Sequence, residues 1–81
     1  AAPPSPDNTL DASMLRSLLE RWIDDLPDRQ REALTLRRQK DLSHDEIAEI
    51  MDIAPSTVNN HIVRAMKALR SRLREHRPDL L

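Results

Sequence analysis

The chemistry in this chain is concentrated near its C-terminal end. If residues 55 onward form a helix, a count of about 100° per residue from Val58 puts Ser56 at about 160°, Asn60 at about 200°, Arg64 at about 240°, Lys67 at about 180°, Ser71 at about 220° and Arg74 at about 160°. Val58, Ile62, Ala65, Leu69 and Leu73 fall on the opposite side as an apolar stripe. From Ser56 to Arg74 the outward face therefore carries amides, hydroxyls and cations and no carboxylate, with Asn59 and Arg70 flanking it on one side and His61 on the other. Asparagine can pair bidentately with adenine and arginine with the acceptors of guanine, and hydroxyls at a helix start join the backbone amides in holding a phosphate. On that chemistry base readout falls to Asn59, Asn60 and Arg64. Ser56 and Thr57 take a phosphate, and Lys67, Arg70 and Arg74 supply attraction that is independent of sequence. A polar helix face is most often only solvated, so the preceding elements have to decide its meaning.

Those elements read as helices. Leu10, Met14, Leu15, Leu18, Leu19, Trp22, Ile23 and Leu26 recur every three or four residues, the period of one helix face. Pro27 ends that helix and suits the first turn of a second, expected over about Pro27 to Gln39 with Ala33, Leu34 and Leu36 inward. Lys40, Asp41 and Leu42 form the connection. Ser43 and Glu46 make a capping box that opens a third helix, expected to bury Ile47, Ala48, Ile50 and Met51. Residues 51–54 interrupt the pattern, Pro55 restarts it, and Pro78 stops it after about Arg77. The expected fold is all-α: four helices in one domain, the last two forming a C-terminal helix-turn-helix of the kind that seats its second helix in the major groove of DNA.

Composition agrees. The 81 residues contain no glycine, no cysteine and one aromatic residue, Trp22. That excludes glycine-rich phosphate loops, disulfides and sulfur-ligated zinc, and the three histidines are too far apart to form a helical metal pair. Neither a catalytic centre nor a cofactor is expected. No apolar run approaches the length of a membrane span, so a cytoplasmic protein without membrane insertion is expected. The net charge of −1 conceals an asymmetry. Residues 1–53 hold 7 basic and 12 acidic side chains, whereas residues 54–81 hold 6 basic and 2 acidic. The chain divides into a proline-rich linker, residues 1–9, and a domain over residues 10–81. A start of Ala-Ala-Pro-Pro-Ser-Pro without an initiator methionine suggests a piece of a longer protein with this domain at its C-terminal end.

The residue strings are specific enough to name a family. Leu26-Pro27-Asp28-Arg29-Gln30-Arg31-Glu32-Ala33-Leu34, then Leu42-Ser43-His44-Asp45-Glu46-Ile47-Ala48-Glu49-Ile50-Met51, Pro55-Ser56-Thr57-Val58 and Arg64-Ala65-Met66-Lys67-Ala68-Leu69-Arg70 together resemble region 4 of bacterial RNA polymerase sigma factors, nearest the extracytoplasmic-function group. The resemblance covers about residues 12 to 75. It implies a module that binds the promoter minus-35 element through its helix-turn-helix, contacts the flap of the polymerase beta subunit, and is masked by a dedicated anti-sigma factor. Ser43 and His44, opening the third helix, complete the candidate DNA-binding set, and the isolated domain is expected to be monomeric. Two positions depart from the family pattern. Asp52 stands where a glycine is usual, and aspartate tolerates a left-handed backbone at some cost. Ala54 stands where serine commonly caps the recognition helix, a loss of about 1 kcal/mol. Two other functions fit the strings less well: a sigma mimic that binds an anti-sigma factor in place of DNA, and a response-regulator effector, which dimerises through its last helix.

Several residues have plainer roles. Trp22 lies on the apolar stripe of helix one and reads as a core anchor rather than a base-stacking platform. Asp24, Asp25 and Asp28 read as helix-ending and helix-starting residues rather than a carboxylate site. His61 reads as a flank residue, with a phosphate contact as the alternative. Arg37, Arg38 and Lys40 read equally as solvated surface or as a second phosphate contact.

Overall fold

A computed structural model describes residues 12–76 and consists there of four helices, α1 (Ala12–Asp24), α2 (Asp28–Lys40), α3 (His44–Met51) and α4 (Pro55–His76). No strand occurs among the described residues. The linker expected over residues 1–9 and the stop expected at Pro78 lie outside them.

Each connection is closed by a recognisable local device. α1 ends because Pro27 has no amide to continue the helix. The Asp25 amide bonds back to the Arg21 and Trp22 carbonyls, each at 3.2 Å, and the Leu26 amide to the Ile23 carbonyl at 3.1 Å. Leu26, though outside the helix, stays buried. Arg31 secures this corner from α2, donating to the Asp24 carbonyl at 3.1 Å and to the Asp28 carboxylate at 2.8 Å. Pro27, extended at φ −54° and ψ 146°, starts α2, which runs one residue further than expected and takes in Lys40. Asp41 then turns left-handed at φ 51°, and Arg37 donates to the Leu42 carbonyl at 2.7 Å, which gives one of the ambiguous basic residues a structural task.

α3 begins on the capping box read from the sequence. The Glu46 amide donates to Ser43 Oγ at 3.1 Å and the Ser43 amide to Glu46 Oε1 at 3.0 Å. Its other end closes on Asp52, left-handed at φ 57°. The Asp52 amide donates to the Glu49 carbonyl at 3.4 Å and the Ile53 amide to the Ala48 carbonyl at 3.1 Å, the paired bonds of a Schellman ending. The position where the family usually has glycine is thus the one that needs a positive φ, and aspartate adopts it.

Two apolar clusters hold the helices, and α4 joins both. Its first half sets Val58 against Ala33, Ile47, Ala48 and Met51, with Leu36, Leu42, Ile53 and Ile62 packed around them. Its second half sets Ala65 and Leu69 against Trp22, Ile23, Leu26 and Leu34, with Leu18, Leu19 and Leu73 alongside. α4 packs on α1, α2 and α3 alike. Ile47 and Val58 are fully buried, each contributing roughly 1.5 to 3 kcal/mol by removal from water. Trp22 is buried as expected. It meets the His76 ring edge-on at 6.0 Å and 67°, and Arg72 reaches Asp25 at 3.6 Å, so the far end of α4 is fastened to the α1 corner.

Two expectations about the core fail. Met14 and Ile50 were expected inside and are exposed, Ile50 at 56%. α3 has only 8 residues, and Ile47, Ala48 and Met51 already fill the narrow arc it turns toward α2 and α4. Ile50 sits roughly 60° beyond that arc and has nothing to pack on.

Candidate nucleic-acid interface

α3, the three residues 52–54 and α4 form a helix-turn-helix. The turn holds α4 by its first turn: the Ala54 carbonyl accepts from the Thr57 amide at 3.0 Å and the Val58 amide at 3.1 Å. Ala54 is therefore the residue that begins α4, and it offers no side-chain acceptor to the remaining free amides. Pro55 follows at the first helical position, where its missing amide costs nothing.

Burial along α4 follows the expected arithmetic. Val58, Ala65 and Leu69 are buried and Ile62 and Leu73 half-buried, while Ser56, Asn59, Asn60, Arg64, Lys67, Arg70, Ser71 and Arg74 are exposed. Thr57 and His61 are half-buried. Among the described residues, Arg64, Lys67, Arg70 and Arg74 enter no ion pair, whereas Arg72, on the side facing α1, pairs with Asp25. The outward cations thus keep their full charge for an external anion. α4 is 22 residues long, about 33 Å, so its first half suffices to fill a major groove about 12 Å wide and its second half reaches past the groove. Ser43 is exposed and His44 half-buried at the start of α3. Ser43 is already engaged in the capping box, with its hydroxyl oxygen accepting and its amide donating.

The carboxylate of that box has a perturbed affinity for protons. The Ser43 backbone amide first, and its hydroxyl second, stabilise the ionised form of Glu46 and hold it below its ordinary value.

One side chain of the face escaped the sequence reading. Val63 lies at about 140° on the same count, between the amide and cation positions, and is exposed. Helical period marks its position on the face, but an apolar side chain carries no donor or acceptor that would single it out. The scaffold contacts that Arg29, Arg31 and Arg37 make with main-chain carbonyls were also missed, because the sequence gives no pointer to such acceptors.

A second surface flanks this face on the α1 and α2 side of α4. Leu19, Ile23, Leu34, Met66, Leu69 and Leu73 line an apolar groove of about 330 Å³ between α1, α2 and α4, with Arg38 and Arg70 also bordering it. No group of three or more histidine, cysteine or carboxylate side chains capable of holding a metal occurs among the described residues. Nor is any described helix long and apolar enough to cross a membrane.

A four-helix domain whose last two helices form a helix-turn-helix, with an unpaired cationic face on the second, defines the class of helical DNA-binding domains. Within that class the chain matches the family described as Sigma-70, region 4, over residues 16–69, and it belongs to that family. It is 42% identical over 65 residues to the ECF RNA polymerase sigma-E factor of Escherichia coli, covering 80% of this chain and 34% of that protein. The protein of the same description from Salmonella typhi matches equally, and that of Haemophilus influenzae is 35% identical over 69 residues, 85% of this chain and 36% of that one. The chain spans about a third of the length of these relatives.

Proposed function

We propose that this chain is the promoter-recognition module of an extracytoplasmic-function sigma factor, reading the minus-35 element in transcription initiation. The observation that carries the reading is the α4 face: Asn60, Arg64, Lys67 and Arg74 stand exposed and unpaired because the opposite stripe is fixed to three other helices. The first half of α4 enters the major groove, with Asn59, Asn60 and Arg64 at base edges. Ser56, Thr57, Ser43 and His44 lie at the helix starts that meet phosphates, and Lys67, Arg70 and Arg74 follow the strand beyond the groove. The role is one of binding, and the chemistry of transcription belongs to the polymerase.

The apolar groove between α1, α2 and α4 is the surface we assign to the beta flap of the polymerase core, and it adjoins the DNA face at Arg70. An anti-sigma factor would compete for the same surfaces. Such a module works in the cytoplasm, where its promoter is.

The decisive experiment titrates the chain against a duplex retained from a random pool at low salt, then repeats the titration at rising salt. Three phosphate-bound cations give log K against log salt a slope of about −3. A flat response, or no preference for the retained duplex over a scrambled one, defeats the reading and favours a sigma-like domain that binds protein instead.

A further inference from the structure

Val63 stands inside the face assigned to DNA. It follows Asn59 and Asn60 by four and three residues and precedes Met66 by three and Lys67 by four, the spacings that make helical neighbours. Of the large apolar side chains exposed among the described residues, Met14 lies in the first turn of α1, Ile50 on the outer side of α3, and Met66 against the apolar groove. Val63, 42% exposed, adjoins Met66 on its groove side and is the one that also has Asn59, Asn60 and Lys67 as helical neighbours.

The fold gives no reason for a valine there. Val63 belongs to neither apolar cluster. Its β-branch restricts χ1 against the preceding turn, so at an exposed helical position alanine, lysine or glutamate would form helix better. The same stiffness is useful for contact. In a helix valine holds nearly one χ1 rotamer, so its two methyls are presented at a fixed place and little side-chain freedom remains to be lost on binding. The apolar feature that the major groove offers is the C5 methyl of thymine. Val63 lies about 4.5 Å further along the helix axis than Asn60, comparable with the 3.4 Å or so between successive base pairs.

We infer that Val63 is a base-reading residue whose methyls pack against the C5 methyl of a thymine, in the base pair next to the one contacted by Asn60. The inference rests on the promoter-reading role proposed above and adds to it a specificity that no hydrogen bond supplies.

The test uses the 81-residue chain and a duplex it retains from a random pool at low salt. Each thymine in turn is replaced by deoxyuridine, which removes the methyl alone. At one position the unsubstituted chain should lose about fourfold in affinity, the effect of one buried methyl group. Val63→Ala should lose a similar factor on the thymine duplex and be indifferent to uracil at that position. Unchanged helix content checks its fold, which the exposed location and the higher helix propensity of alanine both favour. Val63→Thr, which keeps one methyl, should retain part of the uracil sensitivity. If Val63→Ala keeps the full sensitivity, or if no thymine methyl matters to the unsubstituted chain, the assignment falls while promoter reading stands. A chain that retains no duplex overturns the promoter role and this inference together.

Discussion

Arg29 on α2 donates through Nη2 to the Met51 carbonyl, 2.8 Å away at the end of α3, and through Nη1 to Glu32, 3.1 Å away on its own helix. One guanidinium thereby ties α2 to the last residue before the turn of the helix-turn-helix.

Removing that tie should cost stability without touching the DNA face. Arg29→Ala should destabilise the domain by about 1 to 2 kcal/mol, the range for a charge-assisted hydrogen bond to a carbonyl that is partly sheltered. Arg29→Lys should recover only part of the loss, since an ammonium cannot reach both acceptors with a planar fork. The midpoint of urea unfolding measures both variants. A slope of DNA affinity against salt that changes in either would mean that Arg29 also touches phosphate.

Asp52 gives the opposite expectation. At φ 57° it occupies a backbone region in which a Cβ crowds the following carbonyl. Asp52→Gly should stabilise the domain by about 0.5 to 1 kcal/mol, the relief of strain exceeding glycine's larger freedom in the unfolded chain. Asp52→Ala should destabilise it by a similar amount, because alanine keeps the crowding and loses the local hydrogen bonding that aspartate offers its own backbone. Chemical unfolding of the three proteins in one buffer settles the order.

How much of this was visible in the sequence differs from one residue to the next, for physical reasons. The inward stripe of α4 and the Ser43 to Glu46 box were legible because helical period and capping are local rules. The left-handed turn at Asp52 was legible only through the family resemblance, which puts a glycine there, and the one at Asp41 was not legible, since nothing about Lys40-Asp41-Leu42 marks which residue reverses the chain. Ile50 misled because period alone assumes that every apolar position has a neighbour to pack on. Arg29 was invisible: its carbonyl partner lies 22 residues away, and any exposed arginine reads as solvated surface. Val63 was on the wheel throughout, but as an apolar residue it was not weighed among the polar ones.

Acid should loosen the start of α3. Glu46 binds protons less readily in the folded protein than in the unfolded chain, because the Ser43 amide and hydroxyl favour its ionised form. A depressed carboxylate contributes stability above its ordinary value of about 4.5, and that contribution is lost as the pH falls through the lowered value. Glu46→Gln should therefore flatten the acid limb of stability against pH while leaving neutral stability slightly reduced. An acid limb of the same shape in Glu46→Gln would show that other carboxylates control it.

The start of α4 can be strengthened at one position. Ala54 supplies its carbonyl to the Thr57 and Val58 amides but has no side chain to satisfy the amides that remain. Ala54→Ser should add about 1 kcal/mol of stability. A gain in thermal midpoint with unchanged DNA affinity is expected, and a fall in stability would mean that the serine side chain cannot turn toward the first turn of α4.

Arg64 and Lys67 separate readout from attraction. Both are exposed and unpaired on α4, three residues apart, so any difference between them reflects what each meets in the groove and not how each is held. Arg64→Ala should cost about 1 to 3 kcal/mol on the preferred duplex and much less on a scrambled one, because a guanidinium at a base edge discriminates. Lys67→Ala should weaken both duplexes alike and reduce the salt slope by about one, because an ammonium at a phosphate releases one counterion wherever it binds. Since the slope counts phosphates and the preference counts base contacts, the two measurements are independent. Equal losses for Arg64→Ala across all duplexes would move that residue to the phosphate backbone and leave Asn59, Asn60 and Val63 to carry the reading.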